Sequence, residues 1–187
     1  MKTYNFSAGP GVLPQEVISQ IKQEFEKNEF NQMSIVEISH RSKQFQTIVA
    51  DAEKKLRTLM QIPDEYAVVF LQGGGSTQFE MIPLNFATDR RHIALLDSGN
   101  FAAKAAEAAN ALGRKVTVLS STKNQHYQSL PLEPQAFDSN AYDYLHIVTN
   151  NTIEGTTFHQ SNLPKTNGRL VADMSSNILA EPYDVTD

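Results

Sequence analysis

The chain contains no cysteine. Disulfides, thiolate nucleophiles and zinc–sulfur centres are excluded on that ground alone. It has no run of Lys or Arg, and its formal net charge of −5 argues against a nucleic-acid partner. No apolar stretch is long enough to span a bilayer. The opening residues, Met1-Lys2-Thr3-Tyr4-Asn5-Phe6-Ser7, lack the apolar core of a signal peptide. No membrane partner and a cytoplasmic location are therefore expected. Internal repeats and low-complexity tracts are missing as well. What remains is 187 residues, 40% hydrophobic and 20% charged, which suits one domain with a real core or part of a larger one.

Two helices open the chain after an extended, turning arm over residues 1–14, where Gly9, Pro10, Gly11 and Pro14 cluster. Val17, Ile18, Ile21 and Phe25 predict a helix over about 15–27, followed by a polar loop from Asn28 to Ser34. Phe45, Ile48, Val49, Ala52, Leu56, Leu59 and Met60 predict a stronger one from Ser42 to Gln61, with Pro63 just beyond its end. Strands and helices then alternate. Tyr66–Leu71 reads as a buried strand, the Gly73-Gly74-Gly75-Ser76-Thr77 segment as a turn, and Gln78 onwards as a helix that Pro83 should end or kink. His92–Leu96, Val116–Leu119, Tyr144–Thr149 and Arg169–Asp173 read as further strands. Phe101–Leu112 reads as a helix stopped by Gly113, and 120–140 as loop. The order predicts an α/β fold with a mostly parallel sheet flanked by helices.

In such sheets ligands sit beyond the carboxyl ends of the strands, and the notable groups fall at such ends. The glycine triplet reads either as a tight turn or as a cradle whose backbone N–H groups approach a phosphate at a helix start. It lacks the Gly-Lys-Ser/Thr of a P-loop and the spacing of a dinucleotide fingerprint, so a single phosphate suits it best. Asp173 is either a cap or ion-pair residue or the counter-charge to a bound cation such as a protonated ring nitrogen. Phe101 is either core or a flat platform for a planar ligand. Arg41 lies between the strand-like Ile35–Ser39 and a strong helix. There it is a candidate fork for a carboxylate or phosphate. His40 is a further donor beside it or a packed surface residue.

Together these segments resemble the N-terminal half of the phosphoserine aminotransferases, class-V pyridoxal-phosphate enzymes of fold type I. The resemblance runs through Tyr4-Asn5-Phe6-Ser7-Ala8-Gly9-Pro10, Glu37-Ile38-Ser39-His40-Arg41-Ser42 and Phe70–Phe79. It continues through Asp97-Ser98-Gly99, Asn150-Asn151-Thr152-Ile153-Glu154-Gly155 and Val171–Ser176. It implies pyridoxal 5'-phosphate as cofactor, with Gly75 and Ser76 at its phosphate, Phe101 against its ring, Thr152 on the hydroxyl side and Asp173 at the ring nitrogen. It implies Arg41 on the substrate carboxylate and His40 near the substrate phosphate, with no metal. The reaction implied is amino transfer between L-glutamate and 3-phosphohydroxypyruvate, with a related phosphorylated 2-oxo acid of vitamin B6 synthesis as a further expected substrate, in a cytoplasmic homodimer.

Two departures follow from the resemblance. Phe101 stands where the family usually has tryptophan, which keeps the stacking face but loses area and the indole N–H. The Schiff-base lysine, which the family carries in an Ala-Gly-Ala-Gln-Lys-Asn-like motif after Asp-Met-Ser-Ser, has no counterpart before Asp187. Lys104, Lys115, Lys123 and Lys165 read as solvated residues. Residues 15–187 are thus expected to be a partial cofactor-binding large domain, without the later strands and small domain, inactive by itself. The alternatives are a non-catalytic phosphate-ligand binding module and half of another fold type I enzyme.

Overall fold

A computed structural model describes residues 4–7, 9–27, 32–132 and 137–186. Ala8, residues 28–31 of the expected polar loop and 133–136 of the 120–140 segment lie outside the described residues. The chain divides into two compact units, Met1–Val68 and Val69–Asp187.

The first unit is helical. Helix α1 is Gln15–Glu26 and α2 is Lys43–Met60. Ser42 caps α2 by accepting the Phe45 N–H at 3.2 Å, satisfying one of the donors a helix start leaves free. Gln61, at φ 52°, ends it in the left-handed region. Arg57 ties the exit of α2 to the following turn, donating to Pro63 O at 3.0 Å and Tyr66 O at 2.9 Å. The strand-like reading of Ile35–Ser39 is corrected. Ile35–Glu37 is a 3-10 turn closed by a reciprocal cap, in which the Ser34 N–H donates to Glu37 Oε2 at 2.8 Å.

The second unit is a parallel sheet. Strands β1 (His92–Asp97), β2 (Lys115–Ser121), β3 (Tyr144–Val148) and β6 (Leu170–Asp173) stand in the order β2-β1-β3-β6. All three pairings are parallel. Short strands β4 (Asn150–Asn151) and β5 (Thr156–Thr157) form a separate antiparallel ladder. Helices α3 (Gly74–Phe86) and α4 (Asn100–Ala111) both cover one sheet face. There Phe79, Ile82, Ala102, Ala105 and Ala109 pack on Ile93, Leu95, Tyr144, Val148 and Val171. On the other face Ala94, Leu96, Leu145 and Ile147 pack with Leu119 and Phe158 under loop residues. Burying each Leu or Ile in these layers contributes about 1.5–3 kcal/mol.

Two expectations fail here. Residues 67–71 form no strand, and Val69, Phe70 and Leu71 are exposed. Among the described residues nothing pairs with this segment, and without a ladder partner an apolar, β-prone run is not held as a strand. Of the expected end or kink at Pro83, the end does not occur: α3 starts four residues earlier than expected, at Gly74, and runs three residues past the proline.

Candidate functional site

The carboxyl ends of β1, β3 and β6 lie at one rim of the sheet, and the chemistry-bearing residues gather there. Parallel register sets Val148 opposite Asp173. The end of β3 is then locked to the end of β6, because the Thr149 N–H donates to Asp173 O at 3.0 Å. The Thr149 hydroxyl lies 2.7 Å from Asn177 Oδ1, Asn177 Nδ2 donates to Tyr183 OH at 3.1 Å, and that hydroxyl donates to Phe158 O at 2.6 Å. Asp173 is thus held by a chain of hydrogen bonds that spends no part of its own carboxylate.

That carboxylate is half committed. Oδ1 accepts the Ser175 N–H at 3.0 Å and the Ser175 hydroxyl at 2.6 Å. Oδ2 accepts no hydrogen bond from the described residues. Asp173 and Gly75 line the same cavity, of about 160 Å³, with Gln78 and Phe79 of α3 and with His146 of β3. Gly75 is so close to Ser175 that a Cβ on it would stand 3.1 Å from Ser175 Oγ.

The start of α3 is open to an anion. Gly73 caps the helix at φ 102°, with no side-chain hydrogen bond to the first turn. A Cβ at Gly73 would lie 2.7 Å from the Thr77 side chain, and Gly74 also has positive φ, 63°. Glycine is required where a left-handed turn runs straight into a helix. The first N–H groups of α3, at Gly74, Gly75 and Ser76, are left without intrahelical partners, and Ser76 is exposed.

The start of α4 is different. Gly99 again precedes the helix, but its anion position is filled from within the protein. Glu154 Oε1 accepts the Asn100 N–H at 2.8 Å. A Cβ on Gly99 would stand 2.6 Å from the Glu154 carboxyl. Of the two glycine-led helix starts at this rim, only that of α3 is free for a ligand phosphate.

The same contact joins the start of α4, which carries Phe101, to the turn that carries Thr152. Phe101 stands one residue past Asn100, and Thr152 stands two before Glu154. A second clamp joins the loops below, where Ser98 Oγ donates to Asn151 Oδ1 at 3.0 Å, both residues fully buried. Asn151 Nδ2 lies 3.1 Å from Thr156 Oγ1, closing the turn that carries Thr152. Phe101 is half-buried against Leu95, Ala102 and Val148, and Phe79 joins the same cluster while also lining the Gly75–Asp173 cavity. Lys104 Nζ lies 5.3 Å from the Phe101 ring centre.

Gly75, Ser76, Phe101, Thr152 and Asp173 therefore share one rim of the second unit. His40 and Arg41 belong to the first unit and are exposed at the turn before α2, where the Arg41 N–H donates to Ser39 Oγ at 3.2 Å. None of Lys104, Lys115, Lys123 and Lys165 lines the cavity. Sequence reasoning assigned nothing to Ser175, His146 or Glu154. Ser175 and Glu154 both lay in segments that carry the resemblance, without a role of their own, and His146 carried no local signal.

A pyridoxal-phosphate cofactor suits these donors. The uncapped first turn of α3 matches a phosphate, and an Asp173 oxygen that accepts nothing from the described residues, on a side chain lining the cavity that Gly75 also lines, matches a protonated ring nitrogen. Among the described residues no cluster of His, Cys, Asp or Glu is suited to a metal ion, and no helix is long and apolar enough to cross a membrane.

The Aminotransferase class-V family matches residues 3–187. A phosphoserine aminotransferase of Leuconostoc mesenteroides is 65% identical over 187 residues, covering 100% of this chain and 52% of that protein. The solved phosphoserine aminotransferase from Bacillus circulans subsp. alkalophilus superimposes with a TM-score of 0.90 at 38% identity, over 99% of this chain and 51% of its own. The PLP-bound phosphoserine aminotransferase from Trichomonas vaginalis gives a TM-score of 0.82 at 32% identity, over 97% and 53%. The chain spans about half the length of the curated relatives it matches.

Proposed function

The chain belongs to the Aminotransferase class-V family, and on that premise we propose that it supplies the cofactor-binding half of a phosphoserine transaminase. The reaction is amino transfer between L-glutamate and 3-phosphohydroxypyruvate, with phosphorylated 2-oxo acids of vitamin B6 synthesis as further substrates, in a cytoplasmic homodimer. The observation that carries this reading is the cavity common to Gly75 and Asp173, with an uncapped helix start on one side and an uncommitted carboxylate oxygen on the other.

Each residue has a stated task. The backbone N–H groups at Gly75 and Ser76, with the Ser76 hydroxyl, hold the cofactor phosphate. Phe101 offers a flat apolar face to the ring and Thr152 a hydroxyl to its oxygen side. Asp173 keeps the proton on the ring nitrogen, an ionic pairing that gains strength as water is excluded. Bound pyridoxal phosphate supplies an electron-withdrawing ring that accepts charge as the substrate Cα loses its proton. Arg41 grips the substrate carboxylate with its forked donors, and His40 is a further donor for the substrate phosphate. The amine that removes and returns the Cα proton comes from a lysine outside these 187 residues, so they are inactive by themselves.

The test is glutamate-dependent formation of phosphoserine from 3-phosphohydroxypyruvate, assayed for these 187 residues alone and together with a lysine-bearing C-terminal half. Activity in the assembly and none in the 187 residues supports the reading. A folded, cofactor-loaded assembly without phosphoserine formation contradicts it.

A further inference from the structure

His146 sits at the centre of β3, a strand buried along its whole length. It shares the helix-covered face with Tyr144, Val148, Val171 and Asp173. Its Nε2 is one of two buried side-chain polar atoms that find no hydrogen-bond partner among the described residues; the other is Glu154 Oε2. An unpartnered donor or acceptor in a core is costly, and its persistence calls for a partner. Val171 pairs with His146 and Asp173 with Val148, so His146 and Asp173 are diagonal neighbours on adjacent strands. Both line the cavity beneath the start of α3. On the Asp173 side, Oδ2 is the oxygen that Ser175 leaves free.

We infer that His146 is a positioning residue for Asp173, its Nε2–H reaching Asp173 Oδ2 through a water seated in the cavity they share. Such a water needs two to four polar partners, and His146, Asp173 and Gln78 stand around it. Burial pushes the imidazole down to about 4, against the opposing pull of Asp173. His146 therefore stays neutral at pH 7 and keeps one ring N–H to donate. The other groups facing it from α3 and β6 are Gln78, Phe79, Ile82 and Ala172, none of which carries a charge. A neutral donor behind Asp173 fixes the carboxylate without competing for the proton on its far side. Asp173 is then gripped twice, by Ser175 at Oδ1 and by His146 through the water at one lone pair of Oδ2, which leaves the second lone pair of Oδ2 in one orientation for a ring nitrogen. The last step rests on the cofactor reading above; the His146–Asp173 coupling does not.

Histidine-selective 15N labelling of the complete protein, with the His146 signals assigned by their loss in His146→Gln, separates the two. Without cofactor, Asp173→Asn is expected to move the His146 ring-nitrogen resonances. Unmoved resonances overturn the inference and leave the cofactor reading standing. Pyridoxal-phosphate binding, followed by visible absorbance, is expected to weaken about tenfold in His146→Leu and to recover within about twofold of the parent in His146→Gln, which restores an N–H donor. Equal weakening in both variants overturns the positioning role. A parent protein that binds no pyridoxal phosphate overturns the cofactor reading and the orientation step with it.

Discussion

Ser175 occupies the space that a side chain on Gly75 would need, its Oγ lying 3.1 Å from where a Cβ would stand. The same hydroxyl donates to Asp173 Oδ1 at 2.6 Å, so the phosphate end and the ring end of the proposed site meet at one residue. Gly75→Ala is expected to displace Ser175 by tenths of an ångström and weaken pyridoxal-phosphate binding. Alanine raises helix propensity by about 1 kcal/mol over glycine, so the urea midpoint should hold or rise. Unchanged cofactor affinity, read by absorbance titration, would show that Ser175 yields freely.

Glu154 is expected to act as the missing cap of α4. Glu154→Ala removes the acceptor for the Asn100 N–H and should lower stability by about 1 kcal/mol in urea denaturation. Gly99→Ala, whose Cβ would collide with the same carboxyl, should do likewise. Either variant at parental stability contradicts the capping role.

Arg41 is exposed at the turn before α2, where its backbone N–H rather than its side chain bonds Ser39 Oγ. Arg41→Ala in the complete protein should leave folding and cofactor loading near parental. It should raise KM for the acidic substrates by about tenfold to a hundredfold, as loss of a charged hydrogen bond does. A parental KM assigns the substrate carboxylate to another group.

His146 sets a pH dependence of stability. The unfolded imidazole takes a proton near 6.5, whereas burial holds the folded one down to about 4. Between those values the unfolded state binds the extra proton. Stability is therefore full above about pH 6.5 and falls as the pH drops toward 4, by an amount on the order of 3 kcal/mol. Urea midpoints measured across that window should fall less steeply in His146→Leu. Equal slopes contradict the assignment of a buried neutral imidazole.

The sequence made much of this legible. Apolar spacing located α2 and α4 to within one or two residues, and the strands β1, β3 and β6 followed from short apolar runs. Residues 66–71 looked like a strand because composition records β propensity, not whether a partner lies alongside. Gly75 and Asp173 were recoverable because a glycine run and a strand-end carboxylate are local signals. Glu154 was not, since its task is to cap a helix start 54 residues away. His146 was hidden because one histidine inside Tyr144–Val148 reads as a packed core residue, and only the cavity behind it shows what it faces.

The central claim is that Asp173 keeps a proton on the ring nitrogen of a cofactor whose phosphate rests at the start of α3. The most direct measurement is the 15N resonance of ring-labelled pyridoxal phosphate bound to the complete protein and to its Asp173→Ala variant. The account predicts a pyridinium resonance in the parent and a neutral-pyridine resonance in the variant. A pyridinium signal that survives loss of the aspartate would contradict it.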